Sequence, residues 1–214
     1  MKYIYHRGKV TKDFKENTYR ALTNGLNDKN SLGIEFDVRM TKDKKVVVIH
    51  DKTISRVSDG FGLVSKKTYK ELLEYNFGTK KYREKILLLD DFLKQVNSNK
   101  ILLIEIKKET TIAYYANEVL KKYNYLNIYI ASFDKEILNQ LTYLNNNIKT
   151  GLIMWGYKKN KNTKMYKFMV LRQRSLDKEI LKQLNNNKQE LFIWNVLNKS
   201  KNPYNGIMIL DEIL

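Results

Sequence analysis

Ile101-Leu102-Leu103-Ile104-Glu105-Ile106-Lys107 reads as a β-strand whose apolar run ends in two charges. Side chains alternate sides along a strand, so Glu105 and Lys107 face together while Leu102, Ile104 and Ile106 face the other way. The earlier stretch Gly33-Ile34-Glu35-Phe36-Asp37-Val38 repeats the pattern, with Glu35 and Asp37 on one side and Ile34, Phe36 and Val38 on the other. The apolar side suits a covering layer of helices. Charges at the last positions of the other side suit the open C-terminal mouth of a parallel barrel, whose interior is otherwise filled by apolar layers.

The rest of the chain extends that geometry. Short apolar, β-branched runs at 3–6, 33–38, 46–50, 101–107, 128–132, 150–154, 168–172, 191–196 and 206–210 are candidate strands. Amphipathic patterns at 17–26, 89–96, 111–123, 135–144 and 177–186 are candidate helices. This alternation predicts parallel βα units. With about eight such strands in one domain, the expected fold is α/β, a TIM-type (β/α)8 barrel. A doubly wound open sheet is the alternative, but no Gly-rich phosphate loop follows any strand.

Residues 51–85 are too long for a simple loop and carry Phe61, Tyr69, Leu72, Leu73, Tyr75, Phe77 and Tyr82. We expect a small insertion after the second barrel strand, with a helix near 68–75, covering the active-site mouth. The C-terminal end looks trimmed. Residues 198–205 barely allow a helical turn and the chain stops soon after Leu210, so the last barrel helix is expected to be short or absent. Residues 1–214 therefore read as a single barrel domain, and the lone Pro203 marks no linker.

Composition narrows the classes further. No apolar run approaches the roughly 18 residues of a membrane-spanning helix. The N-terminal Met1-Lys2-Tyr3-Ile4-Tyr5 is interrupted by His6-Arg7 too soon for a signal peptide, and it reads as the first strand of an intracellular protein. The absence of cysteine excludes disulfides, thiolate nucleophiles and thiolate zinc sites, and it fits a cytoplasmic protein without requiring one. A formal net charge of +17 suits an anionic partner: nucleic acid, a membrane surface or a phosphate-bearing substrate. The lysines are spread along the chain, however, and Lys, Asn, Ile and Tyr are abundant together, as AT-rich coding produces. The compositional explanation is preferred, and nucleic acid is not expected as a partner.

The chemistry concentrates at strand ends. His6 and His50 are the only two histidines, each closes an apolar run, and each is followed by a charged residue. They supply two acid/base groups. Glu35, Asp37 and Glu105 at one mouth would repel and raise one another's pKa values unless a cation lay among them. A hard divalent ion with oxygen ligands, Mg²⁺ or Ca²⁺, meets that need. Arg7 and Lys107 add two cations for an anion, so the inventory suits cleavage of a phosphodiester. The structural alternatives are alternating surface strands for the carboxylates, an ordinary surface arginine for Arg7, and core packing for Trp194 and Phe133.

The order of these motifs resembles the glycerophosphodiester phosphodiesterase family. That family's pattern runs His-Arg-Gly, Glu-Asn-Thr, Glu-x-Asp-Val-x-x-Thr-Lys-Asp, Val-Val-x-His-Asp and Glu-x-Lys. Here stand His6-Arg7-Gly8, Glu16-Asn17-Thr18, Glu35 through Asp43, Val47-Val48-Ile49-His50-Asp51 with Arg56, and Glu105-Ile106-Lys107. Ser132-Phe133, Trp194-Asn195-Val196 and Gly206 through Asp211 match weaker positions downstream. Lys15, Leu87-Leu88 and Leu210 depart from the pattern in loops and leave the chemical groups intact.

The resemblance implies a small-molecule glycerophosphodiester substrate, hydrolysed to glycerol 3-phosphate and an alcohol. It implies one divalent metal ion on Glu35, Asp37 and Glu105, phosphate neutralised by Arg7 and Lys107, and acid and base roles divided between His6 and His50. Which histidine is the acid, and whether water or a substrate hydroxyl attacks, stay open. Trp194 and Phe133 are candidates for the substrate pocket. Asn17 and Thr18 are expected to cap the first helix. Lysophospholipid cleavage, aided by peripheral contact with anionic membranes, is the near alternative. A non-catalytic basic anion-binding protein is the alternative of another class.

Overall fold

The computed structural model describes residues 2–156, 163–196 and 204–211. Eight parallel strands close into a barrel: β1 (Tyr3–Tyr5), β2 (Gly33–Met40), β5 (Ile101–Ile106), β6 (Ile128–Ser132), β7 (Lys149–Met154), β8 (Phe168–Arg172), β9 (Glu190–Trp194) and β10 (Ile207–Leu210). Closure is made by β1, which pairs with β10 at Tyr3↔Met208 and with β2 at Tyr5↔Ile34. The TIM-type barrel expected from the alternation is therefore the fold.

Alternation divides each strand between two cores. Ile4, Leu103, Tyr129, Ala131, Ile153, Phe168, Val170, Phe192 and Ile209 fill the barrel interior. Tyr129, Phe168 and Phe192 meet edge to face, with centroids 5.2–5.4 Å apart. Such pairs add about 0.5–1.5 kcal/mol each beyond their burial. Gly151 leaves room for them, since a Cβ there would strike the Phe168 ring. The outward set, including Ile34, Phe36, Leu102, Ile104 and Ile130, packs against the helices.

Those helices are α1 (Tyr19–Asn27), α3 (Leu89–Gln95), α4 (Ile112–Leu120), α5 (Lys135–Leu144) and α6 (Lys178–Asn186). Thr18, Asp134 and Asp177 cap α1, α5 and α6 by accepting from the amides of Ala21, Glu136 and Ile180. Each cap stabilises by about 1 kcal/mol. The inward face of α1 is Ala21, Leu22, Gly25 and Leu26, a stripe of helical spacing laid against β2.

One candidate strand lies outside the barrel. β3 (Val46–Val48) runs antiparallel to β2, with Val38↔Val48 and Met40↔Val46, and continues into the two-residue strand β4 (Leu87–Leu88). The cause is length. Five residues, 41–45, join β2 to β3, far short of the dozen or so a parallel crossover needs. Thr41 and Asp43 bond to each other and Lys44 takes φ 63°, so the chain turns straight back.

The excursion from Thr41 to Leu88 includes a single helical turn, α2 (Tyr69–Leu72), closed by a Thr68–Glu71 capping box. It carries its own core of Val47, Ile49, Ile54, Val57, Val64, Leu72, Phe77 and Ile86. The aromatics expected there are divided between this core, where Phe77 is buried, and the surface, where Phe61 is exposed. The expected trimming of the last barrel helix falls largely on 197–203 and 212–214, outside the described residues, as does Pro203. Among the described residues, no helix is long and apolar enough to cross a membrane.

Candidate active site

The site is assembled at the C-terminal ends of β1, β2 and β5. After β1, the His6 amide still bonds the Leu210 carbonyl at 2.8 Å, and then the chain turns. Arg7 and Gly8 take φ 56° and 84°. Only glycine fits at position 8, because a Cβ would lie 2.6 Å from the Ala21 backbone as well as paying the left-handed penalty. The turn aims the Arg7 amide at Glu35 Oε2, 3.0 Å away.

Glu35 and Asp37 project into the mouth from β2 and Glu105 from β5, where Asp37↔Glu105 are register partners. One oxygen of each lies within 4.8 Å of the others. Glu35 and Asp37 are almost wholly buried, at 4% and 1% exposure. Lys107 Nζ bridges Asp37 Oδ1 at 2.8 Å and Glu105 Oε1 at 2.5 Å. Arg7 reaches Asp37 Oδ2 at 3.4 Å and Glu16 at 2.8 Å.

These cations do not serve the three carboxylates equally. Asp37 is held below the usual carboxylate range because Lys107, Arg7 and His50 outweigh the cost of its burial. Glu35 is pushed well above that range by burial and then by the charge of Asp37, and Glu105 is raised for the same two reasons. Two buried carboxylates and the half-buried Glu105, with surplus negative charge, make a hard-oxygen donor set that fits a divalent cation.

Both histidines are tied by Nδ1 to an aspartate. His50 Nδ1 lies 2.7 Å from Asp51, and His6 Nδ1 contacts Asp211. Each Nε2 is thereby left for the cavity, and that of His6 stands 3.8 Å from Glu35. Their environments differ. Burial opposes the charged form of His6, but Glu35 and Asp211 outweigh it and raise the pKa. His50 is lowered, chiefly by burial, with Asp37 and Asp51 compensating in part.

A chain of ion pairs joins the excursion to the first loop. Asp51 accepts from Arg56 Nε at 2.6 Å, Arg56 grips Glu16 at 2.7 and 2.8 Å, and Glu16 holds Arg7. Arg39, buried on β2, donates to the His50 carbonyl at 2.7 Å and pairs with Glu109 at 3.0 Å. Asn17 was expected as a cap, but its buried amide donates to Asp37 Oδ2 and accepts from the Asp37 amide. Asn17 takes φ 57°, and Thr18 alone makes the side-chain cap of α1.

His6, Arg7, Glu35, His50, Glu105 and Lys107 share the wall of one cavity of about 210 Å³, with Asp37 beneath it. Phe133 and Trp194, the two pocket candidates, line its other side together with Trp155, which the sequence reading did not single out. Phe133 stacks on Trp155 at 5.7 Å, and Trp155 meets Trp194 edge-on at 4.8 Å. The Arg172 guanidinium lies 5.5 Å from both indole rings. The overlooked signal was positional: Trp155 follows β7 as Phe133 follows β6, and Trp194 ends β9.

Fold and site together define a class: a closed parallel barrel whose C-terminal mouth sets a carboxylate cluster beside two imidazoles and two cations. The sequence matches the model of the glycerophosphoryl diester phosphodiesterase family over residues 6–205, and the chain belongs to that family. A glycerophosphodiester phosphodiesterase of Caldanaerobacter subterraneus is 31% identical over 161 residues, covering 70% of this chain and 65% of that protein. One from Bacillus altitudinis is 34% identical over 118 residues, 53% and 47% of the respective chains. The chain thus spans roughly half to two-thirds of the length of these curated relatives. An Oleispira antarctica phosphodiesterase, solved with its product sn-glycerol-3-phosphate, shares the fold with a TM-score of 0.84 at 22% identity, over 94% of this chain and 86% of that one.

Proposed function

We propose that the protein hydrolyses glycerophosphodiesters to glycerol 3-phosphate and an alcohol, using one divalent cation, Mg²⁺ or Ca²⁺. The observation that carries this is the Glu35, Asp37 and Glu105 cluster with His6 and His50 on the wall of the same cavity. These three carboxylates would hold the ion. When bound, such an ion would supply Lewis-acid stabilisation of negative charge on the phosphoryl group.

The remaining work falls to the chain's own side chains. Arg7 and Lys107 neutralise the non-bridging oxygens as negative charge builds, and their own ion pairs hold them in place beforehand. One imidazole takes the proton from the oxygen attacking phosphorus. The other delivers a proton to the departing alcohol oxygen, so the alcohol leaves neutral. The Nδ1 bonds to Asp211 and Asp51 orient each ring for that transfer. The Phe133, Trp155 and Trp194 wall shapes the apolar side of the cavity around the glycerol carbons. Residues 51–85 act as a cover on the charged side, anchored to the first loop through Arg56 and Glu16.

The test is release of glycerol 3-phosphate from glycerophosphocholine by purified protein. Turnover should appear with Mg²⁺ or Ca²⁺ and vanish with chelator. Failure to cleave any glycerophosphodiester in either metal would overturn the assignment.

A further inference from the structure

The cavity of about 210 Å³ is smaller than the roughly 300–1,000 Å³ usual for ligand sites. It can take a glycerol phosphate, but the rest of a diester must lie outside it. A second hollow of about 490 Å³ adjoins it, sharing Glu105, Lys107 and Phe133 as a common wall. A third, of about 550 Å³, shares Arg39, Lys52 and Lys108 with the second. Together they form a trench leading from the reacting centre across the ends of β5 and β6 toward the β2–β3 turn.

The trench carries a surplus of positive charge. Of its three acids, Glu109 pairs with Arg39 and Asp134 with Lys108 at 3.0 Å, while Glu105 belongs to the reacting centre and shares Lys107 with Asp37. Lys44, Lys52 and Lys135 also line it, and none makes a side-chain hydrogen bond or ion pair among the described residues. Positive charge likewise meets a group leaving past the aromatic wall, where Arg172 covers both indoles. Of the trench's apolar lining, Met40 and Ile106 are buried, which leaves Leu63 and Phe133, one in each hollow, as its exposed apolar side chains. A clustered field of this kind favours an anion over a neutral or cationic group.

We propose that the leaving alcohol of the preferred diester carries a further phosphate group, seated in the trench by Lys44, Lys52 and Lys135. This rests on the diesterase function proposed above and names the class of its substrate. Two sources share the chemistry: a single phosphorylated headgroup and a repeating glycerol-phosphate chain.

The experiment compares kcat/KM for glycerophosphocholine, glycerophosphoglycerol and glycerophosphoglycerol phosphate, whose leaving alcohols are cationic, neutral and dianionic. The phosphorylated diester should be favoured over glycerophosphoglycerol by about tenfold at low ionic strength, and the advantage should shrink as salt screens the trench. The variant K44Q/K52Q/K135Q should bring that ratio close to one. A control with the same loss of charge on the outer helices and the loop after α6, K94Q/K182Q/K188Q, should leave the ratio intact. A trimer of glycerol phosphate cleaved faster still assigns the trench to a repeating chain, and equality with the phosphorylated dimer assigns it to a single headgroup. The proposal is overturned if the choline diester matches the phosphorylated one, if the trench variant keeps the preference, or if the control loses it equally. Absence of turnover on all three diesters would instead refute the diesterase function. Calorimetric binding of glycerophosphoglycerol phosphate against glycerophosphoglycerol would then decide the trench alone.

Discussion

The two halves of the mouth are built on different principles. On the β1, β2 and β5 side the charged groups and imidazoles are fixed by partners: Lys107 by Asp37 and Glu105, Arg7 by Glu16, His50 by Asp51. On the β6, β7 and β9 side, Phe133, Trp155 and Trp194 are held mainly by ring contacts, and Phe133 and Trp155 remain 42% and 63% exposed. Charge acting on a reacting atom must be placed to within fractions of an ångström, and only a partner can do that against solvent. A surface that gives shape to a small substrate tolerates looser rings.

The contrast can be broken most severely on the charged side. Replacing His6 or His50 by Ala should lower kcat by about 10²–10⁴-fold. Glu35→Ala or Glu105→Ala should abolish the response to added Mg²⁺ or Ca²⁺ along with turnover, measured as glycerol 3-phosphate release. A variant that keeps full, metal-responsive activity would remove that carboxylate from the cation site.

A smaller effect should come from the ion-pair chain behind the site. Arg56 contacts no cavity wall but ties Asp51 to Glu16, so Arg56→Gln should reduce kcat by about 10–100-fold while KM changes little, as loss of an orienting partner does. An equal change in KM would make Arg56 a binding residue instead. On the aromatic side the pattern should invert. Trp194→Ala should raise KM by about tenfold with kcat nearly kept, in line with the modest selectivity of apolar pockets. A collapse of kcat there would erase the division between the halves.

The finest test separates carboxylates at the mouth from one that serves stability. Asp28 accepts from Lys9 at 2.6 Å, Tyr5 at 2.7 Å and the Asn30 amide at 2.9 Å, and the Lys9 bond leads in holding its pKa below the usual range. A depressed folded pKa gives stability that is complete above the unfolded value of about 3.9 and is lost as pH falls through the folded one. Asp28→Asn should therefore lower Tm by about 2–4 °C at pH 7 for each kcal/mol lost, and the gap should close in strong acid. Glu35 has the opposite sign. Its raised folded pKa means that stability drains away as pH climbs above about 4.3. Glu35→Gln should thus raise Tm in chelator at neutral pH. Melts of the two variants shifting the same way would show that the mouth carries no surplus charge.

The charged half was legible in the sequence because strand alternation fixes direction. Glu35 with Asp37, and Glu105 with Lys107, had to share a side once their strands were recognised. What stayed hidden depends on contacts across the chain. Arg56 finds Glu16 forty positions away, and Asp211 meets His6 from the far end of the sequence. Asn17 looked like a cap because its type and place suit one, and only the Asp37 contact shows otherwise. Val46 to His50 has the composition of a barrel strand, yet the five-residue link before it forbids a parallel partner. Trp155 was passed over although it directly follows the run 150–154, because residue type alone does not separate a mouth position from ordinary packing.

His50 follows Val47 and Ile49, which belong to the excursion's own core rather than the barrel's. His50 thus stands at the seam between that small core and the closed sheet, since Val46 and Val48 of the same strand pack in the main core and β3 pairs with β2, while His6 sits at the end of β1. Core substitutions within the excursion, at Ile54 or Leu72, are therefore expected to disturb the placing of His50 before that of His6.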